Sequence, residues 1–372
     1  MIRSDWISHL NLRCRPTMKL VTVDADTQSL PEDIIRNILS RIPAKFLIQF
    51  QCVSKQWRTL IKTPSFVAEN LRRQPPCLLF PGELCLLDCK MTLRKVRDPH
   101  LVSGLDSHRI MPSVNGLICL KISRTAFCVW NPAIGELRMT PEVIGPYKGH
   151  SNVGFGFGPI INDYKVVILW CDDFPCYAQV YSLTSGSWKV VECEILEGIR
   201  LYPEWTRPSV TAKGSIFWLG RKDDGDIIVS FDIALELFTL IPVPVIADPV
   251  WWRRLVVYEN KLALFIEHRL SENSKSIDLW VREEGNVASS SLGERWTWTK
   301  KYNTTLPRKV DPLTIWKNGI VCKVYEGWQV VKPRITLFNV TTGEFDAFVM
   351  HDCDKCIDYV ESLVPVGEIS CL

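Results

Sequence analysis

No apolar run in the 372-residue sequence approaches the roughly 20 residues needed to cross a bilayer. Nor is there a dense block of lysine and arginine, and a net charge of +3 is too small to hold nucleic acid or an anionic membrane. Histidine is scarce, six in all, with no repeated Cys/His spacing from which a zinc module could be built. No secretory signal precedes the fourteen cysteines, which are scattered among apolar runs at Cys119, Cys128, Cys171 and Cys322. They read as buried thiols of a reducing compartment, cytoplasm or nucleus. A phosphate loop is missing too. Gly154-Phe155-Gly156-Phe157-Gly158 lacks the following helix and the Lys-Ser/Thr pair, so its glycines mark the entry of a strand. The lone CxxC of His351-Asp352-Cys353-Asp354-Lys355-Cys356 has no distant partner pair and is expected to be a surface turn. No catalytic residue, metal or cofactor is expected.

Apolar residues make up 47% of the chain and charged residues 23%, enough for one small and one large globular domain. Residues 1–27, with Arg3, Arg13, Arg15 and Lys19 against Asp5 in the first part, are expected to be a flexible extension, with Met18 as an alternative start. The first structured unit is placed at 28–72. Pro31 fixes φ where no N–H partner is needed, and Glu32 and Asp33 face the positive end of a helix. Ile34, Ile35, Ile38, Leu39 and Ile42 recur at helical spacing. Pro43 ends that helix and opens a second carrying Phe46, Leu47 and Phe50. A third follows Cys52-Val53-Ser54, with Ser54 as N-cap, presents Trp57, Leu60 and Ile61, and stops at Pro64. Three such short helices need mutual packing and a partner to be stable.

The run Leu30-Pro31, Ile34, Ile38-Leu39, Arg41-Ile42-Pro43, Lys45, Leu47, Cys52-Val53-Ser54-Lys55, Trp57, Leu60-Ile61 resembles the F-box of plant F-box proteins over some forty residues. Phe46 departs from the small polar residue usual there, and Gln49 and Gln51 from frequent basic ones. The resemblance implies docking on a Skp-type adaptor that links to the cullin and RING subunits of an SCF ubiquitin ligase. It puts that contact on Leu30, Pro31, Ile34, Ile38, Leu39, Ile42, Pro43, Leu47, Cys52, Val53, Trp57, Leu60 and Ile61.

After the connector Arg72-Arg73-Gln74-Pro75-Pro76, residues 77–372 are strands and turns with a recurring unit. Val129-Trp130-Asn131-Pro132-Ala133-Ile134-Gly135-Glu136 matches phrases beginning at Val180, Val229, Leu279 and Leu337, in steps near fifty, each preceded by a second apolar run. A period of about fifty with four strands per unit is that of a β-propeller of kelch-like repeats, and the length gives roughly six blades. Five are directly visible; the sixth is expected to join residues 77–105 to a closing strand near Tyr359 to Val364. The fold class is therefore a small all-α unit of three helices followed by an all-β propeller.

Val114-Asn115-Gly116-Leu117-Ile118-Cys119, Val129-Trp130-Asn131-Pro132, Gly154-Phe155-Gly156-Phe157 and Gly214-Ser215-Ile216-Phe217-Trp218 also resemble the F-box-associated domain of plant proteins. That resemblance implies a module that recruits a target protein. Some members are pollen S-locus F-box proteins, and no residue here places the chain among them. Trp188, Trp218, Trp280 and Trp298 fall on strand positions and are expected in the core. Trp251-Trp252-Arg253-Arg254 follows a proline-rich stretch and has the aromatic-arginine composition of an interface, so it is the candidate target site. Met139–Asn152, Leu201–Arg207, Ile241–Arg254 and Arg282–Arg295 are the long irregular stretches on which recognition loops are expected. The alternatives are a propeller-based enzyme, such as a kelch-type oxidase or glycoside-processing protein, and an F-box scaffold outside any ligase.

Overall fold

The computed structural model describes residues 30–96, 109–143, 150–171, 176–204, 206–246, 250–284, 296–317, 319–325, 334–345 and 355–367. The extension at 1–27, residues 351–354 of the CxxC run and parts of the four irregular stretches lie outside them. Four helices come first: α1 (Glu32–Leu39), α2 (Ala44–Phe50), α3 (Lys55–Ile61) and α4 (Pro64–Arg73). The first three match the expected spans, and α4 is additional. Pro64 does stop α3, yet it also occupies the first position of α4, where its missing N–H costs nothing. Thr63 caps that helix by accepting from the Phe66 N–H at 3.3 Å. Ser54 holds the N-cap position of α3 without a side-chain bond to the helix. Because α4 runs to Arg73, the connector shortens to 74–76.

Six sheets follow. Blade 1 holds β1 (Cys77–Phe80), β2 (Cys85–Leu87) and β3 (Leu93–Lys95); blade 2 holds β4 (Ile118–Lys121), β5 (Phe127–Asn131) and β6 (Glu136–Met139). Blade 3 is β7 (Asn152–Gly158), β8 (Asp163–Trp170), β9 (Tyr177–Ser182) and β10 (Ser187–Val191). In blade 4 an interrupted first strand, β11 (Ile199–Leu201) and β12 (Val210–Ala212), precedes β13 (Ser215–Lys222), β14 (Gly225–Asp232) and β15 (Leu237–Pro242). Blade 5 is β16 (Trp252–Tyr258), β17 (Lys261–Arg269), β18 (Ser274–Glu284) and β19 (Trp296–Pro307), and blade 6 is β20 (Val310–Trp316), β21 (Gly319–Val324) and β22 (Arg334–Asn339). All neighbours pair antiparallel, and an apolar seam fills the space between each blade and the next. Trp218 is fully buried in one such seam, while Trp188, Trp280 and Trp298 are half-buried against others.

The repeated phrase is the third strand of its blade with the turn that follows. Asn131, Asp232 and Asn339 each accept, through the side chain, the backbone N–H two residues on, at 2.9–3.0 Å, and Ser182 accepts that of Ser185. This is the local turn chemistry that Asn, Asp and Ser favour, and it recurs because each blade needs the same tight reversal. The glycines of β7 do more than admit a strand. A Cβ on Gly154 would come within 2.4 Å of the Trp218 ring, so their bareness lets blade 4 close onto blade 3.

The ring closes through β23 (Ile357–Tyr359), which pairs with β1, Cys77 facing Tyr359 and Leu79 facing Ile357. The pairing ends at Tyr359. Residues 360–366 leave the sheet as an extended strap that crosses the 115–116 turn, where a Cβ on Gly116 would strike Ser362 and the Val360 carbonyl. Asn131 fixes the strap by donating its amide to the carbonyls of Ser362 at 3.0 Å and Val364 at 2.8 Å. Leu363 then inserts among Leu39, Leu47, Ile61 and Phe66 of the helices, beside Ala133 and Ile134 of blade 2. The helical unit is thereby seated on the ring.

Alternation of the antiparallel strands assigns every connection to one of two ring faces. Turns between first and second and between third and fourth strands share the helix-bearing face, since 132–135 and 115–116 are of these kinds. Connections from a fourth strand to the next blade, such as 192–198, open on the opposite face.

Candidate functional site

The helices bury one side of their apolar surface and leave the other bare. Leu39, Leu47 and Ile61 are core, packed on Phe66 and on Leu363 of the strap, so the contact expected of these three is corrected to a supporting one. Ile42, Trp57 and Leu60 are half-buried, with Trp57 tilted against Phe50 at 5.7 Å between ring centres. Leu30, Pro31, Ile34, Ile38, Pro43, Cys52 and Val53 are exposed, and Val53 retains 70% of its surface. Phe46 and Ile48, which the sequence reading did not select, stay open beside them. The apolar stripe of α1 is thus two half-stripes: Ile35 and Leu39 point inward, Ile34 and Ile38 outward. An exposed apolar surface of this extent is of the kind on which partners dock. The ion pair from Glu69 to Arg36 at 2.8 Å, the Arg73 guanidinium donating to Asn37 Oδ1 at 3.0 Å, and the Asn70 amide on the carbonyls of Ser40 and Ile42 hold α1 against α4.

A second candidate lies in the ring axis. The first strands of the blades enclose a cavity of about 740 Å³ that opens on the face away from the helices. The interruption of the first strand in blade 4 brings Glu204, Thr206, Pro208 and Ser209 to its wall. The Trp251–Arg254 run is divided by this geometry. Trp251 precedes β16 and is exposed at the mouth, whereas Trp252, Arg253 and Arg254 belong to the strand and not to a loop. In β16 successive side chains alternate. Arg253 turns to blade 4 and pairs with Asp226 at 2.6 Å, whose other oxygen accepts from the Tyr202 hydroxyl at 2.7 Å. Arg254 turns into the cavity, toward Asp311 and Tyr325 of blade 6. Aromatic and cationic groups stack along the mouth: Arg207 lies 3.9 Å from the Tyr202 ring centre, and Trp252 is flanked by Arg207 and Arg254. Trp251, Trp252 and Arg254 line one site together; Arg253 braces it from outside.

Sequence reasoning did not find the charged groups that share this cavity. Burial pushes the Glu204 carboxyl up to about 7 against the pull of Lys121, the Val153 N–H it accepts and Lys355. Asp358 rises to about 6 for the same reason, although it accepts from the Thr314 hydroxyl at 3.0 Å. Lys355, deep in the wall and donating to the Ile110 carbonyl at 2.6 Å, falls to about 8, chiefly by desolvation. Raised carboxylates bind protons in the folded state that the unfolded chain has lost, so this part of the stability is present below the unfolded value, near 4.5 for Glu204, and is lost as pH rises toward 7. Glu204→Gln should flatten the decline in melting temperature between about pH 5 and 7. A thermal-melt series across that range with an undiminished slope in the variant would show that Glu204 is not its source. No group of three His, Cys, Asp or Glu suited to a metal occurs among the described residues.

Two family models match. That of the F-box domain covers residues 28–68, and that of the F-box associated beta propeller domain covers residues 90–311. The F-box protein CPR1 of Arabidopsis thaliana is 29% identical over 367 residues, spanning 87% of this chain and 85% of that protein. F-box protein At5g65850 of the same plant is 29% identical over 304 residues, 74% of each. Among solved structures, TolB from Acinetobacter baumannii is similar at a TM-score of 0.43 and 11% identity, over 77% of this chain and 67% of that one.

Proposed function

The chain belongs to the plant F-box proteins that carry an F-box associated β-propeller domain, and from that premise we propose that it is the substrate-recruiting subunit of an SCF-type ubiquitin ligase. The observation that carries this reading is the placement of its two bare surfaces. The apolar helix face and the channel mouth lie on opposite faces of one ring, joined by a strap that fixes their relation. The helix face, built from Leu30, Pro31, Ile34, Ile38, Phe46, Ile48 and Val53, docks a Skp-type adaptor and through it cullin and RING subunits. The mouth, with Trp251, Trp252 and Arg254, holds the target and points it away from the adaptor. The protein itself is non-catalytic, because its work is to bring two partners within reach, and it acts in the cytoplasm or nucleus.

Affinity purification of the full chain followed by mass spectrometry tests this. Wild type should recover adaptor, cullin, RING subunit and at least one further protein whose ubiquitination rises with the chain present. The Trp251→Ala/Trp252→Ala variant should keep the ligase subunits and lose that further protein by about tenfold, the usual consequence of emptying an aromatic anchor. Recovery of no ligase subunit by wild type would remove the ligase reading and leave a binding scaffold.

A further inference from the structure

We propose that the channel mouth is a receptor for one carboxylate, the side chain of an aspartate or glutamate on a segment of the target, gripped by Arg254. This rests on the reading of the ring as the target-binding part. Arg254 is sunk into the wall of the cavity, and its Nε is shut off from solvent with no acceptor. Among the described residues its guanidinium makes no hydrogen bond or salt bridge, and only the face of Trp252, 5.0 Å away, lies against it. The nearest opposing charge, Asp311, is already engaged by Lys275 at 2.6 Å, and Lys275 also holds Glu267 at 2.9 Å. Desolvation drives the Arg254 value down to about 10, as expected for a cation deprived of water and given no full counter-charge. Its neighbour Arg253, by contrast, is paired to Asp226 at 2.6 Å. A buried Nε–H without an acceptor is costly, and a carboxylate entering the cavity can take two donors of the planar guanidinium at once.

The surroundings select the kind of anion. Glu204, Glu267, Asp311 and Asp358 line the same cavity as Arg254, Lys323 and Lys355, so the positive charge of the wall is already matched. A dianionic phosphate would meet that carboxylate wall with about twice the repulsion felt by a single negative charge. The cavity, about 740 Å³ and open at one end, admits a side chain or two and not a folded domain. Trp251, 67% exposed at the rim, and Trp252 inside it offer flat apolar surface next to the arginine. The fitting ligand is therefore a peptide segment with an acidic residue next to an apolar one.

A displayed library of random twelve-residue peptides, selected on the full chain bound to its adaptor, tests the inference. The recovered pool should be enriched in Asp or Glu beside large apolar residues. Its best members should bind Arg254→Met more weakly by about thirtyfold or more, and Trp251→Ala by about fivefold. Arg254→Lys should restore part of the affinity, and replacing the acidic residue of the peptide by its amide should match the loss in Arg254→Met. Inorganic phosphate at millimolar concentration should not compete. A pool without acidic enrichment, the absence of any binder, or equal binding to Arg254→Met would overturn the proposal. If Arg254→Met melts early, Trp251→Ala at the exposed rim and the amide peptides decide in its place. Adaptor capture is read on the same samples, so a failed ligase reading shows as lost adaptor, and a failed carboxylate site as lost peptide selectivity with adaptor retained.

Discussion

Truncation after Met350 should leave no soluble, monomeric protein. It removes β23, the strap and the side chains of Ile357, Tyr359, Leu363 and Val366, all of them buried. Ile357, Leu363 and Val366 alone contribute about 1.5–3 kcal/mol each by removal from water, a sum that rivals the whole stability of an ordinary domain, about 5–15 kcal/mol. The loss also falls where it does most damage. Without β23 the Cys77–Leu79 edge of blade 1 has unpaired backbone groups, and the base of the helical unit has a hole where Leu363 was. Size-exclusion chromatography should show aggregate, and a monomer that melts cooperatively would mean that the ring does not need its closing strand. Asn131→Ala is the milder counterpart. It deletes two hydrogen bonds to the strap, leaves buried carbonyls without a donor and should cost about 1–3 kcal/mol, read as a lowered melting temperature in a protein that remains monomeric.

The second large effect concerns the helix face. Replacing Leu30 and Pro31 together by alanine should weaken adaptor capture by about tenfold or more, since one large apolar side chain buried in an interface contributes about 1.5–3 kcal/mol. Both residues are exposed, so the melting temperature should not move. Leu47→Ala is the contrasting case. Leu47 is fully buried against the strap, and its truncation should destabilise the helical unit by about 2–5 kcal/mol, with adaptor capture lost only because the unit unfolds. Titration of purified adaptor against both variants separates the two. Wild-type affinity in the Leu30→Ala/Pro31→Ala protein would place the docking contact elsewhere.

The parts of this architecture that show in the sequence are those whose chemistry is local. The turn after the third strand is capped by an Asn, Asp or Ser in four of the blades, so their period is visible without any alignment. The spans of α1 to α3 follow from Pro31, Pro43 and apolar spacing. Helix α4 escaped notice because a proline is at once a stop for one helix and a favoured opening for the next, and only Thr63 with its bond to Phe66 tells them apart. The division of the helix residues into core and bare face depends on Leu363, about three hundred residues away in the chain, which decides which half of the apolar stripe is covered. The channel is the extreme case. Glu204, Arg254 and Asp311 come from three different blades and Lys355 and Asp358 from the closing segment, and all but Arg254 look like ordinary polar residues of a strand or loop until the ring brings them together. One local clue was present: strand alternation in Trp252-Arg253-Arg254 already sends the two arginines to opposite sides.

The pairing of Cys77 with Tyr359 has a consequence in time. A ribosome adding about 5–20 residues per second needs on the order of 15–60 s to pass from the first of these residues to the second. Throughout that interval the edge of β1 waits for its partner, and the floor of the helical unit waits for Leu363. The surface proposed to meet the adaptor is among the first parts made, and the contact that seats it is among the last. Blade 1 is therefore expected to need chaperone cover during synthesis, and ring closure should be a slow step of folding, since it joins the most distant strands in the chain.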